Sequence, residues 1–254
     1  MILAVDIGNT NIVLGAFRDR EILFEERLST DLNSTVLEYV VTIKTSLEVN
    51  GLQDKRFDGA IISSVVPSVT ETVQKAIFRL TGLEAMVVNA SLDTGLKILL
   101  DVPKQLGSDR IADAVGAIEN YPCPLIIVDM GTATTISVIN RKREFMGGMI
   151  LPGLKISLDT LASRTSQLPR ISLEPPEKVI GTNTVECMQS GIIYSTADSI
   201  DGAIRRIEEE LGETCTVVST GGNAAKIIPF CRREILMDQS LLLKGLMTIY
   251  ERNN

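Results

Sequence analysis

The sequence predicts an α/β protein made of two copies of one domain, each with an antiparallel meander in a mixed sheet and helices flanking the sheet. Three observations lead to this prediction. Short apolar runs alternate with segments of helical periodicity. One pattern of strand, Asp-x-Gly turn and strand occurs twice, 123 residues apart. The length of 254 residues suits two domains of ordinary size.

The first half begins with a predicted meander. Apolar runs at 2–5, 12–17 and 22–24 are broken by the turn at 6–11 and by a charged tip at 18–21. A helix over 35–49 and a buried strand over 59–66 follow. Another helix is predicted to begin after Pro67, with Ser68 as its cap, and to stop at Gly82.

The second half repeats the meander at 125–128, 135–139 and 145–146, with a charged tip at 141–144. Gly147–Gly148 and residues 151–153 are typical of turns. An irregular stretch at 163–184 precedes a long helix over 185–211, and a strand at 217–219 leads into a Gly-Gly turn. Prolines near 122–124 mark the boundary, so we expect domains 1–117 and 118–254.

Composition excludes several classes of function. The chain has no histidine, which removes Ser-His-Asp and Cys-His catalysis and leaves proton transfer to Asp, Glu, Lys, Tyr or Cys. A net charge of −7 argues against a nucleic-acid partner. Four cysteines without a C-x-x-C pair suggest reduced thiols, and the N-terminal run carries Asp6 and no basic leader. We therefore expect a cytoplasmic protein that is neither exported nor held in a membrane.

The chain has no G-x-x-x-x-G-K-[ST] loop and no G-x-G-x-x-G motif, so a nucleotide would need another phosphate-binding segment. The two Asp-x-Gly turns are candidates for that role. Asp6 and Asp129 each end a buried strand and are followed by glycine and by small hydroxyl or amide residues. Glycine allows backbone amides to approach a phosphate, and the aspartate would hold a cation or its water shell. One such turn alone is more simply an ordinary hairpin, but two duplicated turns favour a site.

Two further motifs could carry chemistry. Gly107-Ser108-Asp109-Arg110 opens a helical pattern, so Asp109 lies where a helix start favours a carboxylate, beside a cation that can recognise anions. A plain helix cap is the alternative for this motif. Gly221 and Gly222 follow a strand, where a nucleoside could lie against their backbone, although Gly-Gly turns are common.

Together these segments resemble the actin-like and sugar-kinase superfamily of duplicated ribonuclease-H-like domains, and within it the type III pantothenate kinases. The resemblance runs nearly end to end. Its most specific parts are Gly107–Arg110 and the block at 181–191; the turns at 6–11 and 129–134, Gly147–Gly148 with 151–153, and Leu168-Pro169-Arg170 add to it.

The resemblance implies ATP-dependent phosphorylation of pantothenate, the first step of coenzyme A synthesis, in a cleft between the two domains. It implies Asp109 as general base, Mg²⁺ with ATP, potassium or ammonium bound at Asp129, and a homodimer. The residues implied to bind ATP are Asp6, Ile7, Gly8, Asn9, Thr10, Asn11, Ile12, Val13, Thr132, Gly221 and Gly222. Those implied to bind substrate are Leu100, Gly107, Ser108, Asp109, Arg110 and Thr184.

Two positions depart from the family pattern. The family usually has Tyr where this chain has Leu100, and Asn where it has Val102. Leucine cannot donate a hydrogen bond, which would weaken substrate binding by roughly 1–3 kcal/mol if nothing replaces it. A non-catalytic nucleotide-binding paralogue, or a kinase of another small primary alcohol, therefore stays open beside the pantothenate kinase. Intact Asp6, Asp109 and Asp129 favour an enzyme.

Overall fold

The computed structural model describes residues 1–89 and 92–254, which form two compact units. The first unit comprises residues 1–120 and 240–254, and the second comprises residues 121–239. Each unit has a mixed sheet and an apolar core of its own. The predicted α/β fold is confirmed.

The first unit is a five-stranded sheet with helices against it. Its order is β3-β2-β1-β4-β5, in which β1, β2 and β3 are antiparallel and β4 and β5 continue in parallel from β1. Its elements are β1 (Ile2–Ile7), β2 (Asn11–Arg18), β3 (Glu21–Ser29), α1 (Val36–Val49), β4 (Gly59–Ser64), α2 (Pro67–Thr81), β5 (Met86–Val87), β6 (Lys97–Ile98) and α3 (Ser108–Asn120), joined by the last helix of the chain, α7 (Leu241–Arg252).

Strand alternation divides the first sheet into two faces. Leu3, Val5 and Ile7 of β1 point into the core formed with α1 and α2. Asp6 therefore lies on the opposite face. Helix α7 packs on that face, where a side chain at Gly15 of β2 would meet Leu243. Helix α3 packs against α7 and β4, so it belongs to the same layer.

The ends of the first two helices show how local sequence sets them. Thr35 and Glu38 form a reciprocal capping box at the start of α1, where the helix predicted over 35–49 begins. The predicted Ser68 cap of α2 is wrong, since the helix begins at Pro67 and Val66 in the cap position makes no side-chain hydrogen bond. Proline lacks the N–H that a cap would satisfy and already has the helical φ, which makes the cap dispensable.

The second unit repeats the topology of the first. The order of its strands is β11-β10-β7-β8-β9, again an antiparallel meander continued by parallel strands. Its elements are β7 (Leu125–Met130), β8 (Ala133–Ile139), β9 (Glu144–Pro152), α4 (Leu154–Arg164), α5 (Thr184–Leu211), β10 (Thr216–Thr220), α6 (Ala224–Ile227) and β11 (Leu236–Met237).

Two features of the second unit differ from the sequence prediction. Gly147 and Gly148 do not form a turn but lie inside β9, where Gly148 pairs with Ser137. A Cβ at Gly148 would overlap the Ile136 carbonyl, so glycine serves close strand approach here. Helix α4 was not predicted, whereas the irregular stretch before α5 is confirmed for residues 165–183.

The division into duplicated domains 1–117 and 118–254 stays a prediction. To it the structure adds that α7 packs with β1, β4 and α3, all of the first unit. Within residues 1–89 and 92–254, no helix combines the length and the apolar character needed to cross a lipid bilayer.

Candidate active site

The first Asp-x-Gly turn joins β1 to β2. The Gly8 amide donates to the Asn11 carbonyl at 3.0 Å and closes the hairpin. Thr30, at the end of β3, supports the turn from outside by donating its hydroxyl to the Gly8 carbonyl at 2.7 Å and its amide to the Thr10 carbonyl at 3.0 Å. The polar side chains of residues 9–11 are exposed, and such a turn can present amide and hydroxyl donors to an anion.

The strand residues beside this turn differ in exposure. Asp6 is 8% exposed and lies in register with Val13 on one side and with Ser63 on the other. Ile7 and Ile12 are buried in the core of the first unit. Any contact that these two isoleucines make with a nucleotide must therefore come from their backbone.

The Gly107–Arg110 motif forms the start of α3, as predicted. The Ser108 hydroxyl points back to β4, where it accepts from the Ser64 amide at 2.9 Å and donates to the Ser64 carbonyl at 2.9 Å. Asp109 lies in the first turn, and its Oδ1 accepts from the Arg110 amide at 2.7 Å. The motif thus holds the Ser108 side chain against the sheet and places the Asp109 carboxylate in the first turn of the helix.

Burial and a close glycine define the surroundings of Asp109. A Cβ at Gly107 would overlap Oδ1 of Asp109, so a larger residue would displace the carboxylate. Burial raises the pKa of Asp109, and the amide and positive charge of Arg110 oppose the rise. This rise is opposite to the lowering of the pKa that a helix start alone would cause. It makes the Asp109 carboxylate a stronger base.

The two positions that depart from the family pattern lie just upstream. Leu100 is half-buried and Val102 is 48% exposed. They precede the short 3₁₀ turn Pro103–Gln105 that leads into Gly107. An apolar side chain as exposed as Val102 contributes little to the core, which leaves it able to contact a ligand.

The second Asp-x-Gly turn, between β7 and β8, is surrounded by glycine backbone. The half-buried carboxylate of Asp129 lies over Gly131, where a Cβ would be 3.6 Å from Oδ2. A Cβ at Gly153, at the end of β9, would overlap the Thr132 carbonyl. Thr132 itself is exposed.

The Gly-Gly turn after β10 lies directly against the second Asp-x-Gly turn. Gly221 has φ +87°, and a Cβ there would be 2.6 Å from the Met130 amide and would overlap Oδ1 of Asp129. Asn223 joins the two turns by donating its amide to the Met130 carbonyl at 3.1 Å and its side chain to the Met130 and Gly131 carbonyls. Within the second unit, the structure thus brings Asp129 and Gly221 together.

Thr184 is exposed at the first position of α5. Asn183 caps this helix by accepting from the Glu186 amide at 3.0 Å, and Glu186 accepts from the amide and hydroxyl of Thr182. The conspicuous block at 181–191 is therefore first of all a helix start. Its assignment to substrate stays a prediction.

Several contacts of the site were missed by sequence reasoning. They are made by Thr30, Ser63, Gly153 and Asn223. Asn223 carried a signal as part of the Gly-Gly turn, and Gly153 carried one as part of the segment 151–153. The others act through register and packing, which spacing along the chain does not reveal.

The atoms that could bind a metal ion at the two Asp-x-Gly turns are mainly oxygens. In the described ranges 1–89 and 92–254, no three His, Cys, Asp or Glu side chains come together in a way that could hold a metal ion. Two single carboxylates, Asp6 and Asp129, instead flank turns that could bind phosphate.

Comparison with known proteins gives a consistent result. A family model described as type III pantothenate kinase matches residues 2–206. The type III pantothenate kinase of Halalkalibacterium halodurans is 41% identical over 253 residues, covering 100% of both chains. That of Brevibacillus brevis is 42% identical over 253 residues, covering 100% of this chain and 99% of its own.

A solved structure supports the fold. The ROK family glucokinase of Streptomyces griseus, solved with glucose and AMPPNP, matches with a TM-score of 0.51 at 14% identity and covers 98% of both chains. At this identity the match bears on architecture alone. It agrees with duplicated ribonuclease-H-like domains of the sugar-kinase type.

Proposed function

Because the chain belongs to the type III pantothenate kinases, we propose that Asp109 is the general base of its reaction. The enzyme transfers a phosphoryl group from ATP to pantothenate and forms 4'-phosphopantothenate, the first step of coenzyme A biosynthesis. Phosphoryl transfer depends mainly on positioning and charge neutralisation, with one carboxylate to accept the hydroxyl proton. A chain without histidine can supply all of these.

The observation that carries the base assignment is the setting of Asp109. The carboxylate stands in the first turn of α3, close to a residue that only glycine can occupy without displacing it. Burial raises its pKa, which increases its affinity for the proton of the acceptor hydroxyl. Arg110, Gly107 and Ser108 beside it, with Leu100 and Thr184, are our candidates for contacts with pantothenate.

ATP is assigned to the two turns and the Gly-Gly segment. Residues 6–13 would present backbone amides and the side chains of Asn9, Thr10 and Asn11 to the phosphates, and Thr132 would do so from the second turn. Gly221 and Gly222 would leave room for the nucleoside. The negative charges of the phosphates would then lie beside those of the aspartates, and bound cations would be needed to offset the repulsion.

We assign Mg²⁺ to the ATP phosphates and a monovalent cation, K⁺ or NH₄⁺, to Asp129. The family uses ATP and a divalent metal. Asp129 fits a cation because its carboxylate lies among glycines, so that backbone oxygens can approach the same point. A bound cation would supply charge neutralisation for the phosphates, while Asp129 itself holds it in place.

We further propose a cytoplasmic homodimer. Exposed apolar side chains of β9 and of the segment before α5 favour association, namely Met149 (42% exposed), Ile150 (71%) and Ile180 (80%). A reducing compartment suits four cysteines that are all free. Size-exclusion chromatography with light scattering would measure the mass in solution, and a monomer would contradict the dimer.

The experiment that tests the base assignment measures phosphopantothenate formed from Mg-ATP, K⁺ and pantothenate. We expect Asp109→Asn to lower kcat by about 10²- to 10⁴-fold, because the proton acceptor is lost. Asp54→Asn, an exposed aspartate in the loop before β4, is the matched control and should behave as wild type. Full activity of Asp109→Asn would remove Asp109 from the base role.

The pH dependence of kcat/KM is a second test of the role of Asp109. The base must be ionised, so kcat/KM falls as the pH drops through the pKa of Asp109. Because burial raises that pKa, we expect the acid limb at a higher pH than for an exposed aspartate. An acid limb at or below the range of exposed aspartates would contradict this prediction.

Leu100 and Val102 leave two alternatives that the same assay can test. If wild-type enzyme forms no product from pantothenate but phosphorylates another small primary alcohol, the acceptor has changed. If it binds ATP and phosphorylates none of a panel of alcohols, it is a nucleotide-binding paralogue.

A further inference from the structure

A cluster of hydroxyl groups joins the end of β4 to the start of α3. The Ser108 hydroxyl accepts from the Ser63 hydroxyl at 3.0 Å and from the Ser64 amide at 2.9 Å, and donates to the Ser64 carbonyl at 2.9 Å. A hydroxyl has one donor and two acceptor lone pairs. All three are used within the protein, which leaves this side chain nothing to offer a substrate.

The cluster lies beside the first candidate turn. Asp6 and Ser63 are in register on neighbouring parallel strands, so their side chains leave the same face of the sheet. Ser63 is fully buried, and its hydroxyl reaches up to Ser108. One hydrogen bond thus connects the strand next to Asp6 with the residue next to Asp109.

The cap position of helix α3 is a glycine, so no side chain at that position holds the start of the helix. The residue before it, Gly107, accepts from the Ile111 amide through its carbonyl but has no side chain to accept from the first turn. Without a cap, helix ends fray. The Ser108 hydroxyl is the side-chain group that fixes this first turn to the sheet.

We propose that Ser108 is a positioning residue that acts through Asp109. Its hydroxyl, held by Ser63 and Ser64, seats the first turn of α3 on the end of β4 and sets the Asp109 carboxylate relative to the Asp6 turn. This inference rests on the proposed role of Asp109 as base. It reassigns the Ser108 side chain from substrate contact to the support of the base.

The test compares Ser108→Ala, Ser63→Ala, their double variant and Ser108→Thr in the full chain, measuring kcat, both KM values and the pH profile. We expect Ser108→Ala to lower kcat roughly 10-fold with KM for ATP nearly unchanged, because misplacing a reacting group slows the chemical step. Ser108→Thr keeps the hydroxyl and should restore kcat. The double variant should be no worse than Ser108→Ala, since both remove the same bond.

Thr70→Val is the matched control. The Thr70 hydroxyl also belongs to this cluster, donating to the Ser64 hydroxyl at 2.7 Å, but it sits on α2, and its other hydrogen bond goes to the Val66 carbonyl at 3.0 Å. A purely structural role would lower the melting temperature of both variants and spare kcat in both. The positioning role lowers kcat only when the bond to α3 is lost.

Three outcomes decide the question. If Ser108→Ala has wild-type kcat and an unchanged acid limb while Asp109→Asn is inactive, the inference is wrong and the base assignment stands. If Asp109→Asn is fully active, the base assignment itself fails. If Ser108→Ala does not fold, Ser63→Ala decides, because it removes one of the three bonds; a kcat equal to wild type would then overturn the inference.

Discussion

At the scale of single residues, Gly221 shows how the second half of the site is built. Its φ of +87° lies in the left-handed region, and the place of its missing Cβ is filled by Oδ1 of Asp129 and the backbone of Met130. Glycine therefore meets two requirements here, one of conformation and one of space. Both serve the contact between the Gly-Gly turn and the second Asp-x-Gly turn.

We predict that Gly221→Ala raises KM for ATP about 10-fold and leaves KM for pantothenate close to wild type, because the added methyl pushes the two nucleotide turns apart. Gly212→Ala is the matched control. It has φ +70° as well, but its Cβ would meet nothing within 4 Å. Both variants should lose about 1–2 kcal/mol of unfolding free energy from the left-handed strain, so the difference in KM isolates the crowding. Equal KM values for ATP would contradict this role of Gly221.

At this scale the sequence points to residues by their chemistry and misses residues whose role comes from geometry. Asp129 and Gly221 follow predicted strands, and Asp109 stands beside Arg110 at a predicted helix start; their roles stay predictions. Ser63 and Thr30 were missed because a serine or threonine in a strand carries no signal of its own. Their value comes from the register that places Ser63 beside Asp6 and from the turn that meets Thr30.

At the scale of elements, the crossing of α3 and α7 supports the candidate base. The two helices approach so closely that a Cβ at Gly245 would overlap the Ala112 carbonyl, and one at Gly116 would be 3.0 Å from the Gly245 amide. Helix α7 also packs on β1 and β4. The last helix of the chain thus holds α3 in place over the sheet that carries Asp6.

We predict that Gly245→Ala lowers the unfolding free energy by about 1–3 kcal/mol, since overpacking forces the helices apart. Gly202→Ala is its control, a helical glycine of α5 whose Cβ would meet nothing within 4 Å. That variant should gain about 0.5–1 kcal/mol from higher helix propensity. Denaturant titration followed by circular dichroism measures both, and a Gly245→Ala as stable as Gly202→Ala would show that the close crossing is not needed.

The sequence predicted α1, α2 and α5 well, because apolar periodicity marks each of them. It did not predict α4 or α7. Helix α7 has an apolar face as pronounced as those of α2 and α3, so periodicity could have predicted it. Helix α4 follows a glycine that lacks a side-chain cap, so its beginning has no local signal.

At the scale of the whole molecule, duplication explains the common plan of the two units. Strand orders β3-β2-β1-β4-β5 and β9-β8-β7-β10-β11 are the same topology, with an Asp-x-Gly turn after the first strand of each. The repeat of 123 residues in the sequence predicted this topology. What it could not predict is that the chain returns to the first unit for its last 15 residues, because that depends on tertiary packing.

The chain enters the second unit at Tyr121 and leaves it just after Asp238, and a hydrogen bond joins these two points. The Tyr121 hydroxyl donates to Oδ2 of Asp238 at 2.9 Å. Asp238 is 7% exposed, and its amide also donates to the Ser219 carbonyl at 2.9 Å. The bond therefore closes the second unit at its two ends, far apart in sequence.

We predict that Tyr121→Phe lowers the unfolding free energy by about 1–3 kcal/mol, because it removes the donor from a buried carboxylate. Tyr194→Phe is the matched control: it also loses a hydroxyl and keeps the ring that packs edge-on against Phe230 at 5.4 Å.

Burial and Asp238 raise the pKa of Tyr121 to about 12 from its usual 10. A raised folded-state pKa means that this stabilisation is complete below pH 10 and is lost as the pH rises towards 12. Between pH 7 and 9, thermal unfolding should thus show a constant difference between wild type and Tyr121→Phe, which narrows above pH 10. A difference that is absent at pH 7, or that Tyr194→Phe reproduces, would show that the two ends are held together by packing alone.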